Sequence, residues 1–121
     1  MKGCFIDTNV IMRYLLDDNE EQALIAEHLI DGGAWTTPEV LAEVTYVLDS
    51  VYEVKRDEIT TALEMMANVL TFRPDAVTRS AIGEFGRTKL DFVDCMAVAY
   101  GLHGERVFTF DKEVNKQLLQ R

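Results

Sequence analysis

The chain predicts an α/β fold with a central, mainly parallel sheet of four or five strands covered by helices. Short apolar or β-branched runs alternate with longer segments of helical period, the pattern of strands joined by crossover helices. Two of these runs, Cys4-Phe5-Ile6-Asp7 and Phe108-Thr109-Phe110-Asp111, end on an aspartate and lead into helix-like sequence. In an open α/β sheet that edge is where ligands bind. The length, 121 residues, fits one domain spanning 1–121, able to bury roughly two thirds of its unfolded surface.

Lys2 to Ile6 is the first strand, and Val10 to Leu16 follows with helical spacing at Val10, Met12, Leu15 and Leu16. Asn19 is placed to cap a helix from Glu20 to Ile30, which Asp31-Gly32-Gly33 stops. Ala34 to Thr37 is a short strand. Pro38 suits the first turn of the next helix, Glu39 to Tyr52, whose apolar arc is read as Val40, Val44, Val47, Leu48 and Val51. Asp57 opens a helix with Ile59, Leu63, Met66, Ala67 and Leu70 inward, and Leu70 to Arg73 is a marginal strand before Pro74. Asp75 to Gly86 is helical, Asp91 opens a helix through Leu102, and Arg106 to Phe110, aromatic and β-branched, is the clearest late strand. Lys112 to Leu119 closes the chain as a helix.

Hydrophobic residues make up 48% and charged residues 27%, the balance of a chain with a packed core. Cys4 and Cys95 belong to no Cys-x-x-Cys pair, which excludes a structural zinc site, and both read as buried thiols in a reducing compartment. Asp7 interrupts any signal-peptide apolar region, and no uncharged run approaches the roughly 18 residues of a membrane span, so a cytoplasmic protein without a membrane partner is expected. A net charge of -9 excludes a generic nucleic-acid coat protein, because binding to phosphates rests on Lys and Arg.

Four acids stand at ligand-like positions. Asp7 and Asp111 follow strands; Asn9 and Thr8 are the neighbours that could orient Asp7, and Thr109 shares the Asp111 edge. Glu43 sits at the rim of its helix's apolar arc, partly inward, where a carboxylate needs a cation or a donor. Asp91 and Asp94, three apart, share one side of a first helical turn, and their mutual repulsion would become attraction around a metal. Each aspartate alone is also explained as a helix cap; the ordered set is less easily so. Oxygen-only ligands suit Mg²⁺ or Mn²⁺. His28 and His103 complete no nucleophile set, and neither a P-loop nor a dinucleotide fingerprint is present. An aspartyl-phosphate phosphatase would want a second aspartate where Asn9 stands, and Asp17-Asp18 follows a helix where a receiver pocket needs a strand end.

The phrases Phe5-Ile6-Asp7-Thr8-Asn9-Val10, Leu41-Ala42-Glu43-Val44, Asp91-Phe92-Val93-Asp94-Cys95-Met96-Ala97 and Val107-Phe108-Thr109-Phe110-Asp111 together resemble the PIN-domain family, and within it the VapC-like toxins of toxin-antitoxin pairs. The resemblance implies a three-layer α/β/α domain that binds Mg²⁺ or Mn²⁺ and hydrolyses RNA. Carried over, Asp7, Glu43, Asp94 and Asp111 are both the catalytic and the metal-binding residues, with Asp91 as a frequent extra acid. The implied chemistry is metal-activated water attacking a phosphodiester. The implied partners are an RNA substrate, a small cognate antitoxin and a second copy of the chain in a homodimer. The alternative is a non-catalytic PIN-like module that binds protein or RNA. Relatives often continue into a further short strand beyond the helix that here ends near Arg121, so an incomplete sheet edge is expected. Loading the groove with cations would offset much of the acidity, leaving Arg13, Arg87, Lys89 and Lys112 as candidate phosphate contacts.

Overall fold

The computed structural model describes residues 3–120; Lys2, the expected start of the first strand, lies outside them. Helices dominate: α1 (Thr8–Leu16), α2 (Glu20–Asp31), α3 (Pro38–Ser50), α4 (Arg56–Val69), α5 (Ala76–Arg87), α6 (Phe92–Leu102) and α7 (Lys112–Leu119), with β1 (Trp35–Thr36) and β2 (Thr71–Phe72) between them. The helix ends follow local chemistry. Asn19 accepts the amide of Gln22 at the start of α2, and Thr37 accepts that of Val40 ahead of Pro38 in the first turn of α3. Gly104, at a φ of +92°, carries the chain out of α6 in a conformation that favours glycine.

β1 and β2 pair in parallel, with Trp35 opposite Thr71 and Thr36 opposite Phe72. Cys4 to Ile6 joins on the other side of β1 through a single parallel bridge at Phe5, where Ile6 N–H donates to Trp35 O at 3.0 Å and Trp35 N–H to Cys4 O at 2.9 Å. The sheet is therefore parallel as expected but smaller than the four or five strands the sequence predicts. The difference lies chiefly in Arg106 to Phe110. Its β-propensity is strong, but it is in no ladder among the described residues, and Phe108 and Phe110 are 85% and 89% exposed, packed edge-to-face on each other. Propensity describes how well a side chain fits a pleated, half-covered surface, and here no neighbour supplies one.

The core gathers Ile6, Ile11, Leu41, Val44, Leu63, Met66, Phe72, Phe85, Phe92 and Cys95 among others. On α3 the buried arc is Leu41, Val44 and Leu48, whereas Val51 is 64% exposed. That is a small rotation from the arc read in the sequence, and it turns Glu43 out. α6, the most apolar helix, lies against α3, α5 and α7. Both cysteines are free; burial pushes the Cys95 thiol up to about 11, and it is inert as a nucleophile. Among the described residues no helix is long and apolar enough to cross a membrane.

Candidate active site

Asp7 is held where the Cys4–Ile6 segment meets α1. Ile6 is buried, and the buried hydroxyl of Thr36 donates to its carbonyl at 2.9 Å, which locks the backbone one residue before the carboxylate. Thr36 thus positions the site, a role without a sequence signature, because a threonine in a short strand is ordinary. Asp7 itself is exposed and caps α1, its Oδ1 accepting the amide of Val10 at 3.1 Å. Thr8 begins α1 and is half-buried. Asn9 lines a shallow cleft between α1 and α2 with Arg13 and Gln22, and no hydrogen bond joins it to Asp7 among the described residues.

The start of α6 carries the second part. Asp91 is the cap, with Oδ1 accepting the Asp94 amide at 2.8 Å. Asp94 is half-buried in the first turn, and its carboxyl is raised above the ordinary value by burial first, then by the charges of Asp91 and Asp111 and a hydrogen bond with Asp91. Every one of these influences acts in the same direction, the signature of acids crowded together.

Asp111 reaches this group from α7. Its Oδ1 accepts the amides of Glu113 and Val114 at 2.9 and 3.0 Å, and its own amide donates to Thr109 Oγ1 at 3.0 Å. The Thr109 carbonyl accepts from the Asn115 side chain, so Thr109 fixes the turn into α7. A side chain at Gly101 would meet the end of the Leu118 side chain, which would have to turn aside, so α7 lies close against α6 here. With Asp94 and Asp111 near each other at one end of the two helices and Gly101 and Leu118 at the other, α6 and α7 run side by side in the same direction. Their positive N-terminal ends share the acidic group.

The structure therefore brings Asp91, Asp94 and Asp111 together. Asp7 and Glu43 are both exposed, and for Glu43 this corrects the expected inward tilt, as follows from the rotated α3 arc. The basic candidates are partly committed: Arg13 pairs with Asp18 at 2.9 Å and Arg87 with Glu84 at 3.5 Å, while Lys89 and Lys112 are exposed.

Whether these residues suit a divalent cation divides into chemistry and placement. The donor set is all carboxylate, as a hard cation wants, and each capping aspartate uses only Oδ1 for its helix. Placement does not suit it: among the described residues no three acidic, histidine or cysteine side chains stand close enough to hold a metal ion. The arrangement as it stands is three helix caps and one crowded, half-buried carboxyl.

Comparison with curated proteins and with solved structures gave no match. Comparison with protein families gave the PIN domain, matched over residues 4–117, which takes in all four phrases and every acid named above. With nearly the whole chain matched, the protein belongs to the PIN domain family, a nuclease-type fold.

Proposed function

We propose that the protein is an endoribonuclease, the toxin of a toxin-antitoxin pair, which hydrolyses RNA phosphodiesters and depends on Mg²⁺ or Mn²⁺. The observation that carries this reading is Asp94. A carboxyl half-buried in a helix's first turn, with the charges of Asp91 and Asp111 against it, is a cost to the fold that a pure capping role does not require. Asp7 and Glu43 complete the family's acidic set on this reading. Exposed apolar side chains, Phe108, Phe110 and Leu119 among them, support a protein partner, whether a small antitoxin or a second copy of the chain.

A second reading is a non-catalytic PIN-like module that binds RNA or protein. It is favoured by the absence of a formed three-acid cation site among the described residues and by the cap that each of Asp7, Asp91 and Asp111 already provides. Purified protein incubated with a structured RNA separates the two. The ribonuclease reading expects cleavage with Mn²⁺ or Mg²⁺ that stops with chelator and falls by about 100-fold in Asp7→Asn. Intact RNA under all divalent conditions, or cleavage indifferent to chelator, supports the binding module and sinks the enzyme.

A further inference from the structure

We propose that the cleft between α3 and the start of α6 is a guanine-binding pocket that selects the RNA base next to the bond to be cut; this rests on the ribonuclease reading. The cleft has a volume of about 270 Å³ and is walled by Thr45, Tyr46 and Asp49 of α3, Arg56 of α4, Phe85 of α5 and Asp91. It is thus continuous with the acidic group, because Asp91 belongs to both.

Its chemistry is that of a base site. Tyr46 is 68% exposed, a large aromatic ring left in solvent at the rim, and such rings serve as stacking platforms for unpaired bases. Arg56 is a fixed cation. Its guanidinium lies 3.7 Å from the centre of the Phe85 ring, its Nη2 donates to the carbonyls of Phe85 and Leu90, and it makes no ion pair among the described residues. The guanidinium is held rigid with Nη1 still able to donate. Asp49 lines the same space with a carboxylate, beside Asp91, which is already engaged by the amide and the carboxyl of Asp94.

One base uses all of these at once. Guanine offers the acceptors O6 and N7 to the one remaining donor nitrogen of Arg56, Nη1, and two adjacent donors, N1–H and N2–H, to a carboxylate. Adenine turns an N6 amino group toward the arginine, and uracil turns carbonyl oxygens toward the carboxylates. Opposite signs in one cleft therefore reject adenine and uracil, and guanine is preferred to cytosine because it offers a carboxylate two adjacent N–H groups where cytosine offers one amino group. A base held against Asp91 presents its adjoining phosphate beside Asp94.

The test titrates amide NMR spectra of the intact protein, in chelator, with the 5′-monophosphates of guanosine, adenosine, cytidine and uridine. The expected result is shifts concentrated at Tyr46, Asp49, Arg56, Phe85 and Val93, with guanosine monophosphate binding about 10-fold or more tightly than the rest. Tyr46→Ala and Asp49→Asn, both at exposed positions where folding tolerates change, should abolish that preference. Equal binding of the four nucleotides, or shifts elsewhere, overturns the pocket. In parallel, two RNAs differing by one guanine-to-adenine change are offered with Mn²⁺. Cleavage with no preference between them overturns the pocket while the nuclease stands; selective guanosine monophosphate binding with both RNAs intact supports the pocket while the nuclease falls.

Discussion

Asp94 differs from the other acids in kind, because its neighbours raise its carboxyl while those of Asp75 lower theirs. Asp75 receives Arg79 Nε at 2.8 Å and the Phe72 amide at 2.9 Å, and both favour the ionised form. For Asp94, burial and the charges of Asp91 and Asp111 favour the protonated form. The sign for stability follows. With its folded value above the unfolded 3.8, the ionised Asp94 opposes folding once the pH exceeds that range, and the opposition vanishes below 3.8, where the group is neutral in both states. Asp94→Asn should therefore raise the melting temperature near pH 7 and leave it unchanged near pH 3, as thermal unfolding across pH will show. A variant that melts lower at pH 7 would mean that the carboxylate is supported rather than crowded. Sequence spacing placed Asp91 and Asp94 on one turn, which is legible because three residues nearly complete a turn. Burial at Glu43 was not legible, since the choice between Val40 and Leu41 as the centre of the α3 arc depends on which partner helix that face meets.

Helices were readable from period and caps because both are local. Asn19, Thr37, Asp91 and Asp111 each accept an amide within three residues of themselves. Strand runs were legible too, at Ala34 to Thr37 and Leu70 to Arg73, but which runs would pair was not, because a strand is completed by a partner distant in sequence. Leu70 to Arg73, the weaker candidate, became β2 by pairing with β1, whereas Arg106 to Phe110, the stronger, stayed unpaired among the described residues. This gives a prediction about Phe108. With the side chain 85% exposed, Phe108→Ser should change unfolding stability by no more than about 0.5 kcal/mol, against about 2 to 5 kcal/mol for Ile6→Ala in the core. Denaturant midpoints of the two variants decide it. A loss above about 2 kcal/mol at Phe108 would place that run in a packed sheet.

At the scale of the whole molecule, the proposed function sets an acidic chain against an acidic polymer, and bound cations would reconcile the two. The chain carries -9, and its acidic group stands where two parallel helices, α6 and α7, bring their N-termini together. Family membership was legible from four short phrases spread along the chain, since each carries an acid in a recurring strand or helix context. Thr36, which positions Asp7, was not, because its role appears only when distant segments meet. The proposed function requires Asp94 and the acids beside it to close around a divalent cation, which they do not do as placed, and to cut RNA with it. One Mn²⁺ titration, followed in parallel by melting temperature and by RNA cleavage in the wild type and Asp94→Asn, tests it most directly. Mn²⁺ is expected to raise the wild-type melting temperature and switch on cleavage over the same concentration range, and to do neither in the variant. A wild-type melting temperature indifferent to Mn²⁺, or undiminished cleavage by Asp94→Asn, would contradict it.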